Sequence, residues 1–180
     1  MKIVILHNAA SDSDSAAERD VLVQVAAVNQ ALRALGHESR ALPCTLNLET
    51  VEESLTMDRP DAVFNLVESL GGSDRLAHLA AVLLEDLELP FTGSPAAAWH
   101  LTNNKPRAKE RLRAAGLPTL DWVVADGRSG STLGPPYIIN AIWAHASLGL
   151  DDHAVLVSGD GPADCSPISR RSRGHAQTCC

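Results

Sequence analysis

The chain has 180 residues, of which 45% are apolar, only 3% are aromatic and 21% are charged, and its formal net charge is −7. This length suits one domain, or one domain and part of another, with a core of aliphatic side chains. The acidic balance argues against a nucleic acid or an anionic membrane as the main partner, although one local lysine suffices for a small anionic ligand.

The N-terminal segment MKIVILHNAAS contains a short apolar run. A run of about five residues is too short for the central region of a signal peptide, and no run in the chain reaches membrane-spanning length. A first β-strand and a cytoplasmic location are therefore expected. The four cysteines include no Cys-x-x-Cys pair, so a zinc site is not expected.

The N-terminal part alternates between predicted strands and predicted helices. The strands are predicted at residues 2–7, 39–44, 61–67 and 89–94, and the helices at 16–35, 48–57 and 75–87. In the first helix the apolar positions Val21, Val25, Val28, Leu32 and Leu35 form one face. Asp74 is the expected cap of the third helix. This alternation predicts an α/β fold, a parallel sheet with helices on both faces.

Ligands of such sheets bind beyond the carboxyl ends of the strands. Here those ends are His7-Asn8, Val67-Glu68 and Thr92-Gly93.

The character of the sequence changes after Pro95. A basic helix is predicted at residues 105–115, with Pro106 in its first turn, where proline is tolerated. Strands follow at DWVVAD, at PPYIINAIW and near residues 154–157. From about Ser158 the sequence is rich in Ser, Arg, Gly, Pro and Cys without periodicity, which predicts a disordered or aberrant tail.

Several polar residues are candidates for chemistry. Glu18 lies in the first turn of the first helix, where a carboxylate either stabilises the helix dipole or holds an ammonium group. Glu68 and the Gly71-Gly72 pair follow the third strand, where they form either a simple turn or a ligand site.

The basic helix offers a second set of candidates. Lys105 and Lys109 form either a solvated basic face or, because Lys105 begins the helix, a contact for an anion such as phosphate. Ser147 lies in the small-residue segment HASLG, which is either a turn or a loop whose N–H groups cover phosphates. The nucleophile elbow, the P-loop and the dinucleotide-binding glycine motif are all absent from the sequence.

Five segments in this order resemble the D-alanine–D-alanine ligase branch of the ATP-grasp superfamily: SAAERDV, VFNLVES, LPFTGSPAAAWHLTNNK, KERLRAAGLPT and YIINAIWAHASLGLDD. The resemblance spans roughly residues 2–157. It implies a Rossmann-like pre-ATP-grasp domain at 1–96 and part of an ATP-grasp central α+β subdomain at 97–157. The disordered or aberrant tail at 158–180 lies beyond the resemblance. The family phosphorylates a substrate carboxylate with ATP, and the amine of a second D-alanine attacks the acyl phosphate, with Mg²⁺ neutralising the phosphates.

The resemblance also implies roles for single residues. Glu18 matches the acidic residue that engages the amino group of the first D-alanine, and Lys105 matches a lysine that contacts the ATP phosphates, here preceded by Asn104 instead of the usual Asp. Ser147 and Gly149 fall in the loop that covers the phosphates, and Ser147 also helps to orient the substrate. Glu68 falls where many ligases carry a histidine.

Two departures from the family remove charge. Asn140 takes the position of the second ATP-binding lysine, and Ala144 that of a glutamate. A lost lysine–phosphate contact is worth about 1.5–3 kcal/mol. The family's C-terminal domain, with its magnesium ligands and a phosphate-stabilising arginine, has no counterpart in these motifs. We therefore expect Asn140→Lys to restore little ATP affinity.

These features predict a truncated ligase of the D-alanine–D-alanine type, with cell-wall precursor synthesis as the family role and little or no activity in this chain. One alternative is a non-catalytic α/β module that binds an amino acid or a partner. Another is an ATP-grasp ligase for other amino acids. The expected partners are D-alanine or a similar amino acid, ATP and a second copy in a homodimer, with no nucleic acid and no membrane.

Overall fold

The structure, a computed structural model, describes residues 1–10, 16–124, 137–138, 140–143, 155–156 and 178–179. The chain divides into two compact units, Met1–Trp99 and His100–Cys180. The domain limits predicted from sequence stay predictions. In the described part, no helix is both long enough and apolar enough to cross a membrane.

The first unit contains a three-stranded parallel sheet and the helices that connect its strands. Its elements are β1 (Lys2–Asn8), α1 (Ala16–Ala34), β2 (Glu38–Cys44), α2 (Leu48–Asp58), β3 (Ala62–Leu66), a 3₁₀ turn (Asp74–Leu76), α3 (His78–Asp86) and the start of α4 (Ala96–Thr102), a helix that crosses the boundary between the units. The strand order is β2-β1-β3, with β1 in the centre. The predicted α/β fold with a parallel sheet is confirmed.

The two faces of β1 belong to different halves of the core. Val4 and Leu6 are fully buried in one apolar cluster with side chains of α2 and α3, among them Val51 and Leu84. Alternate residues of a strand point to opposite faces, so Ile3, Ile5 and His7 lie on the other face. Ser39, the register partner of Ile3, donates a hydrogen bond of 2.6 Å to Asn29 of α1, which identifies that other face as the one covered by α1.

Two helix ends differ from the sequence prediction. Leu35 is not part of the buried face of α1, because the helix ends at Ala34, and the Leu35 side chain is 72% exposed. Asp74 does not precede α3 as its cap. It opens the separate 3₁₀ turn, in which Ala77 N donates to the Asp74 carbonyl at 3.1 Å.

The predicted fourth strand is reduced to a single parallel bridge between Val63 and Phe91. Val63 N donates to the Pro90 carbonyl at 2.8 Å, and Thr92 N donates to the Val63 carbonyl at 3.0 Å. Pro90 has no N–H with which to continue a ladder, and Gly93 follows at φ +109°, so the pairing stays short.

The second unit contains α5 (Lys105–Ala114) and four two-residue strands: β4 (Tyr137–Ile138), β5 (Asn140–Ala141), β6 (Val155–Leu156) and β7 (Thr178–Cys179). β4 pairs with β6 and β5 pairs with β7, both antiparallel. Helix α5 begins where predicted, with Pro106 in its first turn and the Asn104 side chain accepting a hydrogen bond from Arg107 N at 3.0 Å. Apart from β7, the predicted tail lies outside the described residues.

Candidate functional site

A cleft of about 300 Å³ opens at the carboxyl edge of the parallel sheet. Its walls come from the ends of β1 and β2 and from the turn after β3, and they are formed by Asn8, Ala9, Cys44, Thr45, Leu46, Ser69, Gly71 and Gly72. Within the sheet, β2 lies next to one edge of β1 and β3 lies next to the other. The direction in which successive strands are added therefore reverses at β1. Ligand sites of open α/β sheets lie at such reversals.

The Gly71-Gly72 pair forms the outer wall of this cleft. Leu70 and Ser73 exchange backbone hydrogen bonds of 3.2 and 3.1 Å, and the two glycines between them have φ values of +58° and +73°. Both central residues of this tight turn thus occupy the left-handed region that favours glycine. The two sequence interpretations, a turn and part of a cleft, therefore describe the same residues.

Glu68, the other candidate after β3, has an exposed side chain that is not part of the cleft wall. Its backbone N–H donates to the side-chain oxygen of Asn8 at 3.5 Å. This contact ties the end of β1 to the segment after β3.

Cys44 closes the floor of the cleft. Its side chain is only 1% exposed, and burial raises the pKa of the thiol to about 11. A thiol in that state is neutral at physiological pH and is a poor nucleophile. Cys44 therefore shapes the cleft and is unsuited to covalent catalysis.

His7 is a residue to which the sequence interpretation assigned no role. It is the sixth residue of β1, on the face covered by α1, and its side chain is only 6% exposed. Its ring nitrogen Nδ1 lies 3.0 Å from the Asn8 carbonyl oxygen. The only sequence signal was its position at the end of a buried strand.

Glu18 is the third residue of α1. A helix that connects two parallel strands runs antiparallel to them, so the first turn of α1 lies at the carboxyl edge of the sheet. Glu18 and His7 therefore belong to the same edge and the same face. The side chain of Glu18 lies outside the described residues.

In the second unit, Lys105 and Asn140 belong to two elements that are bonded to each other. The Lys105 backbone N–H donates to the Ile142 carbonyl at 3.1 Å, and the Lys105 ammonium donates to the Ala141 carbonyl at 2.8 Å. Asn140 immediately precedes Ala141 in β5 and is half-buried. Lys105 and Asn140, two of the residues assigned to ATP by resemblance, thus lie on elements that are hydrogen-bonded to each other.

Lys109 has a different environment on the same helix. Its ammonium donates to the Leu120 carbonyl at 3.0 Å and lies 5.7 Å from the centre of the Trp122 ring. Arg113 stacks on the same ring at 4.5 Å and pairs with Asp121 at 2.6 Å. These contacts fasten α5 to the segment that follows it, so Lys109 has a structural role here.

Ser147, Gly149 and Ala144 lie outside the described residues. Within the described part of the chain, no group of three or more His, Cys, Asp or Glu side chains is arranged to hold a metal ion. Lys105, the first residue of α5, is thus hydrogen-bonded to the strand that contains the neutral Asn140.

No family model matches the chain. The D-alanine–D-alanine ligase of Cereibacter sphaeroides is 34% identical over 140 residues, a match that covers 76% of this chain and 43% of that protein. The D-alanine–D-alanine ligase of Ruegeria pomeroyi is 33% identical over 155 residues, covering 84% of this chain and 48% of that protein. The chain thus spans less than half the length of these curated relatives.

Solved structures give the same fold. A D-alanine–D-alanine ligase from Bacillus anthracis matches with a TM-score of 0.68 and 16% identity over 99% of this chain and 56% of that chain. The enzyme from Helicobacter pylori matches with a TM-score of 0.65 and 18% identity, over 99% of this chain and 65% of that chain. A Bacillus anthracis structure complexed with ATP matches with a TM-score of 0.59 and 17% identity, over 99% of this chain and 57% of that chain.

Proposed function

We propose that this chain supplies part of a site for the ATP-dependent ligation of two amino acids. The matched residues belong to the D-alanine–D-alanine ligase family, and this supports the proposal. The proposed substrates are ATP and D-alanine or a similar amino acid. The observation that carries the proposal is the hydrogen bonding of Lys105, through both backbone N–H and ammonium, to the strand that contains Asn140. It supports a shared role in nucleotide binding for the two residues.

The proposed chemistry has two steps. The carboxylate of the first amino acid attacks the γ-phosphorus of ATP, which forms an acyl phosphate and releases ADP. The amine of the second amino acid, after losing a proton, attacks the acyl carbon, and inorganic phosphate leaves as the new amide bond forms. Lys105 would counter the negative charge of the phosphates in the first step, and the carboxylate of Glu18 would hold the ammonium of the first amino acid.

We expect little or no ligation by the 180-residue chain. Asn140 has no charge to offer where the resemblance places a lysine, a loss of about 1.5–3 kcal/mol in phosphate binding. That corresponds to about tenfold to a hundredfold or more in affinity. The proposal includes Ser147 and Gly149 as residues that cover the phosphates.

The test is an ADP-release assay with ATP and D-alanine, together with calorimetric titrations of each ligand. Measurable binding of both D-alanine and ATP with very slow ADP release is the expected result. A turnover of about 1 s⁻¹ or faster, at the lower end of ordinary enzyme rates, would contradict the expected inactivity. Absence of ATP binding would count against a nucleotide site.

A second candidate function is a non-catalytic module that binds an amino acid. It is favoured by the Met1–Trp99 unit, which has its own buried core and its own cleft at the sheet edge. This candidate predicts D-alanine binding without nucleotide binding in the same titrations. A ligase for other amino acids would instead bind ATP and prefer another member of an amino-acid panel.

The remaining parts of the proposal concern cellular context. They are a role in the synthesis of cell-wall precursors, a cytoplasmic location and a homodimer. Light scattering coupled to size-exclusion chromatography measures the oligomeric state directly, and a monomer at micromolar concentration would remove the homodimer from the proposal.

A further inference from the structure

The short link between the sheet and α4, residues 92–96, is held at both of its ends. At the first end, Thr92 N donates to the Val63 carbonyl at 3.0 Å, and the Thr92 hydroxyl accepts a hydrogen bond of 3.0 Å from Asn65 N. Both partners belong to β3, and Val63 is fully buried in the core. Thr92 is therefore fixed to the sheet.

The other end of the link is held by a side chain of α3. Ala96, the first residue of α4, is 5% exposed, and its N–H donates to Glu85 Oε1 at 2.9 Å. The first N–H groups of a helix are usually capped by the side chain of the residue before it. That residue is Pro95, whose carbonyl accepts from Trp99 N at 2.9 Å but whose ring offers no acceptor. Glu85 therefore supplies the cap, and its negative charge suits a helix N-terminus.

Glu85 is itself attached to the core of the first unit. It lies in the last turn of α3, directly after Leu84, which is fully buried in the apolar cluster that contains Val4 and Leu6 of β1. The cap of α4 thus comes from a residue eleven positions earlier, on a helix that packs on the sheet. The first turn of α4 is consequently tied to α3 by one side-chain hydrogen bond.

Between the two fixed ends, Gly93 has the greatest backbone freedom. Its φ is +109°, and in the described part of the chain neither Gly93 nor Ser94 forms a hydrogen bond. A residue before proline is restricted to extended conformations, and the proline ring fixes its own φ, so Ser94 and Pro95 cannot absorb a large rotation. Glycine can, because it adopts both signs of φ.

We propose that Gly93 is a hinge and that Glu85 is its latch. The hydrogen bond from Ala96 to Glu85 holds the first turn of α4 on α3, and its release lets α4 turn about Gly93 while Thr92 stays on the sheet. A helix of seven residues is not stable alone, so α4 depends on this cap and on its buried first residue. Because α4 crosses from the first unit into the second, the latch controls the connection between them. This device goes beyond the proposed function, since no ligand takes part in it.

Amide hydrogen exchange of the full wild-type chain, followed by NMR at increasing low urea concentrations, tests whether α4 opens by itself. The amide of Trp99 is expected to exchange through a local opening that depends little on urea. The amides of the central strand β1 are expected to exchange through global unfolding, which urea promotes strongly. The same steep urea dependence at Trp99 and in β1 would mean that α4 opens only with the whole unit, and it would overturn the proposal.

Two pairs of variants test the latch and the hinge separately. Glu85→Ala should speed exchange at Trp99 by about two- to thirtyfold, the range for a lost helix cap, whereas Asp86→Ala, which truncates the exposed neighbouring carboxylate, should not. Equal exchange in these two variants would show that Glu85 is not a latch.

At Gly93 an added Cβ would meet no atom within 4 Å, so Gly93→Ala introduces backbone strain alone. If opening rotates the backbone at Gly93, it relieves that strain, and exchange at Trp99 should be about fivefold to thirtyfold faster although Glu85 is intact. Ser94→Ala is the matched control and should exchange like the wild type. Unchanged exchange in Gly93→Ala would show that the hinge does not lie at this glycine.

Discussion

The ammonium group of Lys105 lies 2.8 Å from the carbonyl oxygen of Ala141, the residue that follows Asn140 in β5. A second hydrogen bond, from Lys105 N to the Ile142 carbonyl, measures 3.1 Å. A cation at a helix N-terminus is mildly unfavourable, and here a backbone carbonyl dipole offsets part of that cost. Because an ammonium has three donors, the carbonyl contact is compatible with a phosphate contact by the same group.

The first prediction concerns Lys105→Met. The substitution removes the ammonium and keeps most of the aliphatic stem, so we expect a loss of stability of about 1 kcal/mol from the lost hydrogen bond. If Lys105 also contacts phosphate, ATP binding should weaken by about tenfold or more. Urea unfolding measures the first effect and a calorimetric ATP titration measures the second.

Lys109→Met is the matched control for this experiment. Lys109 belongs to the same helix and also donates to a backbone carbonyl, but its partner is Leu120, at 3.0 Å, instead of a residue of β5. It should lose a similar amount of stability and keep its ATP affinity within about twofold. Equal ATP affinities for the two variants would show that Lys105 only stabilises the contact between α5 and β5 and does not bind phosphate.

The second prediction concerns the two glycines of the turn that borders the cleft. A Cβ at either Gly71 or Gly72 would sit at positive φ, which costs about 1–2 kcal/mol for an alanine. At Gly71 it would also lie 2.5 Å from Leu46 Cδ1, whereas at Gly72 nothing lies within 4 Å. We therefore expect Gly71→Ala to be the more destabilising substitution, by about 1 kcal/mol, since Leu46 must leave its rotamer.

A double-mutant cycle with Leu46→Ala separates the two causes. Leu46 is 55% exposed, so its truncation costs little by itself. In the Leu46→Ala background the two glycine substitutions should become equal in cost, because only the backbone strain remains. A difference that persists in that background would contradict the steric explanation.

Much of the fold follows from the sequence because it depends on periodicity. KIVILH predicts β1, and the apolar steps between Val21 and Leu32 predict α1. Ends of elements depend on single hydrogen bonds and are harder to predict. Asp74 is one example, because it opens a 3₁₀ turn instead of capping α3. The segment around Phe91 is another, because the preceding proline limits its pairing with β3 to one bridge.

The candidate site was predicted less completely than the fold. Sequence patterns indicated Glu18, Glu68, the glycine pair and Lys105, because strand ends and helix starts are visible in a sequence. They could not indicate that the Lys105 ammonium meets the Ala141 carbonyl, a contact between residues far apart in the chain. The sequence placed His7 at a strand end but did not indicate that its ring is buried or that Nδ1 lies 3.0 Å from the Asn8 carbonyl oxygen.

The third prediction concerns the reactivity of Cys44. Burial raises the pKa of its thiol to about 11, so at pH 8 only about a thousandth of it is the reactive thiolate. Brief treatment of the native chain with iodoacetamide at pH 8 should leave Cys44 unmodified, as measured by peptide mass spectrometry. In urea the same residue should react at the rate of an ordinary thiol; rapid labelling of the native chain would contradict the burial of this residue.

The fourth prediction concerns Asp58, which joins three elements at the amino edge of the sheet. Its carboxylate pairs with Arg40 of β2 and with Lys2 of β1 at 3.5 Å, while Arg40 also donates to Ser54 of α2 at 2.8 Å. The hydrogen bond from Arg40 is the main cause that holds the pKa of Asp58 below its usual value. The positive charges of Arg40 and Lys2 add to this effect, and partial desolvation opposes it.

A depressed folded-state pKa has a definite consequence for pH dependence. The stabilisation by Asp58 is fully present above the unfolded-state aspartate pKa of about 3.9, and it is lost as the pH falls through the lower folded-state pKa. Asp58→Asn should therefore be less stable than the wild type at pH 7. The difference between the two should shrink as the pH is lowered below about 4.

Urea unfolding at a series of pH values measures this convergence. Asp86→Asn, which replaces an exposed aspartate at the end of α3, is the control and should follow the wild-type curve throughout. A constant gap between Asp58→Asn and the wild type at every pH would mean that the asparagine changes packing. It would then be wrong to attribute the stabilisation to the charge of Asp58.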